Sequence, residues 1–183
     1  MKTNFFEGRL VNLVPLDLEK DLPMWEKWDR DSEYKRLLDD IPAAQFNSSL
    51  IKEYIENNTS DASLFMVHTV GDDKVIGFIE LDGYDWASRN AWVGIGIGDP
   101  DYRGKGYGTE SMQLLLGYAF NGLNLHRVNL NVFAYNKRAI RSYEKCGFRY
   151  EGTQREGIYK EDQRWDVIDM GILRSDWEQL NRI

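Results

Sequence analysis

Apolar residues recur along this chain with two periods, and each change of period marks a new element. Arg9 to Leu16 (RLVNLVPL) alternates like a half-buried strand, and Pro15 ends it. Leu22, Trp25 and Trp28 follow at helical spacing behind the N-cap residue Asp17; Lys20 stands where a capping box needs Glu or Gln. Tyr34 to Asp40 reads as a short helical piece or a loop, closed by Ile41-Pro42. Leu50, Ile51, Tyr54 and Ile55 predict a helix capped by Ser48 or Ser49 and stopped by Asn57-Asn58. Leu64 to Val70 and Lys74 to Leu81 are strands around the turn Gly71-Asp72-Asp73, and Asp82 to Asn90 is a polar loop. Trp92, Val93, Ile95 and Ile97 form a β-prone run interrupted by Gly94, Gly96 and Gly98. A helix over Thr109 to Asn121 rests on Met112, Leu115, Leu116 and Ala119, with Gly122 as its stop. Leu125 to Ala134 is a strand, and Asn136 caps a helix to Lys145 that Gly147 ends. Phe148 to Tyr159 and Gln163 to Leu173 make a hairpin around Lys160-Glu161-Asp162. The succession predicts an α/β (α+β) fold, one mixed sheet with helices on both faces, in a single domain over residues 1–183.

The run from Ala91 to Tyr118 organises the rest. Glycines inside a strand mark a bulge or the close approach of a ligand or another chain segment. Asp99-Pro100-Asp101 breaks the strand, and Arg103 to Gly108 (RGKGYG) brings three more glycines before a helix begins. Such a bend gathers free N–H groups and the positive end of a helix dipole at one spot, which suits a phosphate. The glycines alone weigh equally for phosphate binding and for a plain turn. No G-x-x-x-x-G-K-S/T is present, and GKGYGTE is not a dinucleotide fingerprint.

Composition narrows the classes. Lys and Arg total 23 against 30 Asp and Glu, a net charge of −7, the wrong balance for a nucleic-acid partner. Cys146 is the lone cysteine, which excludes an intrachain disulfide and favours a buried filler over a nucleophile. His68 and His126 share no ligand spacing, so no metal is expected. MKTNFFEGRL lacks the apolar run of a signal peptide, and no stretch has bilayer-spanning length. No membrane partner and a cytoplasmic location are expected.

Two motifs carry a family resemblance. Arg103, Gly106 and Gly108 match Gln/Arg-x-x-Gly-x-Gly/Ala, and Asn136, Ala139, Tyr143 and Gly147-Phe148 match N-x-x-A-x-x-x-Y-x-x-x-G-F at the expected distance. The chain resembles the GNAT acetyltransferases over Leu64 to Leu173, most closely the RimJ/RimL-type ribosomal-protein N-terminal acetyltransferases and their spermidine-acetylating relatives. The resemblance implies a sheet splayed between the central strand and the next, with acetyl-CoA as co-substrate. It implies direct transfer of acetyl, in a ternary complex, to a primary amine: a protein N-terminus, a polyamine or another small amine. The alternative is a catalytically silent acyl-CoA-binding regulatory module on the same fold.

The resemblance also assigns roles. Arg103, Gly104, Lys105, Gly106, Tyr107, Gly108 and Thr109 would hold the pyrophosphate, and Asn136 would touch the cofactor besides capping its helix. The N–H groups of Ile95 and Ile97 would face the thioester oxygen, and Tyr143 would protonate the departing sulfur, with adjacent Ser142 as second choice on a helix position that points elsewhere. Relatives often carry a glutamate on the central strand, but Ala91 to Gly98 holds no acid. Glu80 is the nearest carboxylate, read as the base or as a solvated strand-end charge, with a water relay as the alternative. The first helices would form a lid, so Trp25, Trp28, Tyr34 and Tyr54 are core or substrate wall. Asp29, Asp31, Glu33, Asp39 and Asp40 are a solvated face or a lure for a cationic acceptor. The final hairpin offers an edge at which a homodimer would pair.

Overall fold

The computed structural model describes residues 4–41, 43, 47–58 and 62–181. Pro42 and the side chains of Ser48 and Tyr54, which the sequence placed at a helix end, a cap and a substrate wall, lie outside the described residues. Strand β1 (Val11–Pro15) leads into helices α1 (Leu18–Asp29), α2 (Ser32–Leu38) and α3 (Ser48–Asn58). Strands β2 (Ser63–Thr69), β3 (Val75–Asp85) and β4 (Asn90–Ile97) follow, then α4 (Tyr107–Gly117) and β5 (Arg127–Phe133). Helix α5 (Lys137–Lys145), strands β6 (Arg149–Lys160) and β7 (Gln163–Leu173), and helix α6 (Arg174–Leu180) complete the chain. The strands form one seven-stranded sheet in the order β1-β2-β3-β4-β5-β7-β6. Only the β4–β5 pair is parallel, and that junction lies at the middle of the molecule.

The alternation read in the sequence sorts side chains to the two faces. Val67, Ile79 and Leu81 point to one face and meet Leu115 and Leu116 of α4. Met66 and Phe78, their neighbours in sequence, point to the other and meet Trp28 of α1 and Tyr34 of α2. Trp25 stacks on Phe78 with ring centroids 4.9 Å apart, and Leu22 joins Ile51 and Ile55 of α3. A fully buried side chain of this size contributes about 1.5–3 kcal/mol, so both helical layers are fastened by burial.

The caps behave as read at Asp17, whose side chain accepts from the Glu19 and Lys20 N–H groups. Asp31 does the same for α2, which settles Tyr34 to Asp40 as helical at its start. Three details differ from expectation. The polar loop is shorter, because β3 runs on to Asp85 and β4 starts at Asn90. Helix α4 passes into a π-helical turn over Tyr118–Gly122, and the left-handed residue beyond it is Asn124 (φ 55°) rather than Gly122. Helix α6 has no side-chain cap and so gave no start signal; Trp177 holds it, packed on Phe120 at 5.5 Å.

Candidate active site

Strands β4 and β5 pair only through Asn90–Arg127, Ala91–Val128 and Trp92–Asn129. Asn129 Nδ2 donates to Ala91 O at 3.1 Å and closes that short ladder. Beyond it the strands part, as the resemblance implied, and the backbone groups of Val93 to Ile97 that face away from β3 have no strand beside them. An opening of this kind suits an extended ligand that carries its own amides. A cleft of about 1110 Å³ fills the gap and continues beneath α1–α3.

One end of the cleft gathers unpaired backbone donors at a helix start. Gly104 (φ +76°) and Gly106 (φ +96°) hold backbone angles that other side chains rarely adopt. They turn the chain so that Gly106 becomes the N-cap of α4. Glu110 N is the first to bond back, to Gly106 O at 2.9 Å; among the described residues no acceptor takes the N–H groups from Gly104 to Thr109. Free donors at a helix start fit a pyrophosphate. Gly104, Gly106, Gly108 and Thr109 line the cleft, with Ile95 and Ile97 further along the opening.

The structure does not bring every expected residue into the cleft. Lys105 is exposed outside its wall, and Tyr107 packs edge-on against Tyr102 at 5.0 Å. Arg103 lines the wall, but its guanidinium is engaged within the protein. It donates to Ile97 O (2.8 Å) and Gly98 O (2.6 Å) and pairs with Asp31 Oδ2 at 3.1 Å. The Ile97 carbonyl is therefore occupied, and Arg103 ties the lid helix α2 to the end of β4.

Tyr143 and Asn136 share the face of α5 that borders the cleft. Asn136 Oδ1 caps α5 by accepting from Ala139 N (3.2 Å), and its Nδ2 reaches Leu37 O at 3.3 Å. The Tyr143 ring packs 6.0 Å from that of Phe148, and burial pushes its phenol up to about 12. It is a neutral donor at physiological pH, without a hydrogen-bond partner among the described residues. Ser142 lines the cleft too, against the expectation that it points elsewhere, and shares a 2.7 Å hydrogen bond with Thr109 Oγ1. Cys146 is buried, its thiol raised to about 12 by burial, which leaves it a filler.

On the lid face, Gly94 and Gly96 of β4 and Gly98 just past its end are explained by space. A β-carbon on Gly94 would lie 3.0 Å from Glu80 Oε1; on Gly96 it would meet the Tyr34 hydroxyl, and on Gly98 the Trp28 ring. Glu80, Tyr34 and Trp28 thus stand in a row on a floor without side chains. Glu80 is half-buried rather than a solvated strand-end charge. Burial, with Asp82 adding repulsion, raises its carboxyl to about 7.

The acids of the first helices are largely paired inside the protein. Lys35 lies 3.4 Å from Asp29 and 2.7 Å from Asp39; Arg103 holds Asp31, and Arg36 lies 3.8 Å from Glu33. Sequence reasoning passed over Arg138, Arg141 and Lys145, which line the cleft from one face of α5 and form no ion pair among the described residues. Their i, i+3, i+7 spacing behind the glycine-rich turn was the available signal. Among the described residues no group of three or more His, Cys, Asp and Glu is placed to hold a metal, and no helix is long and apolar enough to cross a membrane.

Comparison with known proteins agrees with this geometry. A family model described as an acetyltransferase (GNAT) domain matches residues 11–149. The probable N-acetyltransferase YjcK of Bacillus subtilis is 31% identical over 180 residues, covering 94% of this chain and 99% of that protein. The spermidine N(1)-acetyltransferase of Escherichia coli K12 is 31% identical over 166 residues, covering 90% and 86%. The crystal structure of spermidine N-acetyltransferase from Vibrio cholerae in complex with CoA and spermine superposes with a TM-score of 0.84 at 26% identity, covering 93% of this chain and 99% of that one.

Proposed function

The chain belongs to the GNAT acetyltransferase family, and from that premise we propose that it transfers acetyl from acetyl-CoA to the primary amine of a small aliphatic acceptor of the polyamine class. The observation that carries this reading is that one cleft joins Glu80, on the strand to one side of the unpaired stretch of β4, to Tyr143, on the helix that follows the strand on its other side. A group poised near neutrality and a neutral phenol are the base and acid that amide formation from a thioester needs.

The residues divide the work as follows. The N–H groups from Gly104 to Thr109 hold the pyrophosphate, and Arg138, Arg141 and Lys145 add positive charge along the same wall. Asn136 borders the pantetheine arm. N–H groups in the opening, around Ile95, meet the carbonyl oxygen as negative charge gathers on it. Glu80 takes the proton of the attacking amine; the new C–N bond forms as the C–S bond breaks, and Tyr143 gives its proton to sulfur. Acetyl-amine and CoA thiol leave. A small cationic acceptor is supported by the two carboxylates Glu80 and Asp82, with which no cation among the described residues pairs, and by the spermidine-acetylating relatives.

Release of free CoA thiol from acetyl-CoA across a panel of amines and N-terminal peptides tests the reading. Turnover with polyamines is expected. Turnover with peptides alone would move the acceptor to protein N-termini. No turnover, with acetyl-CoA still bound, would make the chain a silent acyl-CoA-binding module.

A further inference from the structure

Glu80 and Asp82 are successive side chains on the lid face of β3, with Cα atoms about 6.6 Å apart along the strand. The ladder sets Gly94 opposite Glu80 and Trp92 opposite Asp82. Both acids line the cleft, whereas Trp92 is 42% exposed just beyond it. The indole of Trp92 lies across the strand, its Cδ1 3.1 Å from where a Gly83 β-carbon would stand. Among the described residues no lysine or arginine pairs with either carboxylate; burial and then repulsion from Asp82 raise Glu80, and Asp82, at the exposed edge of the cleft, is raised by desolvation.

In the opposite direction the track is blind. Tyr34 stands over Gly96 and Trp28 over Gly98, and Phe78 packs beside them. Tyr34 is 4% exposed, lines the cleft, and its hydroxyl has no hydrogen-bond partner among the described residues. An unpaired buried hydroxyl is costly. A blind end that holds an unmet polar group receives a polar head better than a methyl group.

We propose that Asp82, backed by the Trp92 ring, determines acceptor specificity by binding a second cationic nitrogen of an acceptor whose terminal amine stands at Glu80. The inference rests on the acetyl-transfer reading. It goes further by naming the residues that choose among amines and the spacing that they read. Two nitrogens separated by three or four methylenes lie about 5–6 Å apart in an extended chain, by ordinary single-bond lengths. That matches the rise between Glu80 and Asp82. A cation over an indole face gains further attraction, most when partly desolvated. Tyr34 over Gly96 and Trp28 over Gly98 obstruct the floor beyond Glu80, which favours a chain end as the reacting nitrogen.

The test compares butane-1,4-diamine with butylamine as acceptors for the full chain and for Asp82→Asn and Trp92→Leu. Wild type is expected to prefer the diamine by about tenfold or more in kcat/KM. Asp82→Asn is expected to cut that preference about tenfold, mainly through KM, and Trp92→Leu by a smaller factor. Equal kcat/KM for the two amines in wild type, or an equal loss for both in Asp82→Asn, overturns the proposal. If no amine is acetylated, the transfer reading fails by itself. Calorimetric titration of the diamine into the CoA-bound protein then still decides: weaker binding in Asp82→Asn supports the site, and unchanged affinity overturns it.

Discussion

Glu80 of β3 stands opposite Gly94 of β4, its Oε1 3.0 Å from the place that a β-carbon on Gly94 would take. The missing side chain lets a carboxylate lie flat on the central strand, half out of water, and burial raises it from 4.5 to about 7. In the proposed role of base it works when ionised, so kcat/KM is expected to rise with pH through about 7. Glu80→Gln should lower kcat/KM by about 10²-fold or more and erase that limb. Stability moves the other way. A carboxyl raised on folding contributes stability that is complete below about 4.5 and lost as pH rises through about 7. Wild type should therefore lose up to about 3 kcal/mol relative to Glu80→Gln between pH 5 and pH 8 in urea titrations. Parallel pH–stability curves for the two proteins would put Glu80 back in bulk water.

The turn proposed to hold phosphate separates two glycines that look alike in sequence. Gly106 has φ +96°, so valine there strains the backbone as well as blocking the site. Gly108 has no such angle, and a β-carbon on it would touch Ile97 Cγ1 at an ordinary 3.4 Å. Gly108→Val is thus the cleaner probe. Calorimetry should show acetyl-CoA binding weakened about tenfold or more, with the melting temperature nearly kept. Gly106→Val should lose both. Undiminished affinity in Gly108→Val would take the start of α4 out of the site.

What could be read from the sequence was what local chemistry decides. The Asp17 and Asn136 caps, the turn after Gly104 and the period-two strands each depend on a few neighbouring residues. The row Gly94, Gly96 and Gly98 signalled close approach, but Glu80, Tyr34 and Trp28 come from distant parts of the chain. Arg103 looked like a phosphate ligand because the acid it pairs with, Asp31, is 72 residues away and invisible until α2 folds over β4. Asp82 read as loop because it is polar, whereas the strand simply continues past the core with one face in the cleft.

That engagement of Arg103 has a measurable consequence. Its guanidinium joins the N-cap of α2 to two carbonyls at the end of β4, and its side chain is only 10% exposed. Removing one member of such a pair strands the other groups, at a cost of about 3 kcal/mol. Arg103→Gln is expected to lower urea stability by that order while reducing acetyl-CoA affinity only a few-fold, because backbone N–H groups supply the anion donors. Full stability with abolished binding would hand the guanidinium to the phosphate instead.

Tyr143 follows Asn136 by seven residues, two turns of α5, and both border the opening between β4 and β5. Its ring is packed against Phe148, so its direction is set by the core rather than by the ligand. Burial holds the phenol at about 12, which keeps the proton in place until a stronger base appears, and in the proposed reaction a departing thiolate would bring that demand only at the end. Ser142, the other hydroxyl nearby, is hydrogen-bonded to Thr109 and sits on the wall as a strut between α4 and α5. Tyr143→Phe keeps the ring, its contact with Phe148 and the shape of the cleft. The expected result is kcat lower by about 10²-fold, with acetyl-CoA affinity and melting temperature nearly unchanged. Ser142→Ala, by contrast, should act on stability more than on kcat. A loss confined to KM in Tyr143→Phe would make the hydroxyl a binding group. Full kcat in that variant, with single-turnover kinetics showing chemistry to be rate-limiting, would pass the acid role to Ser142 or to water.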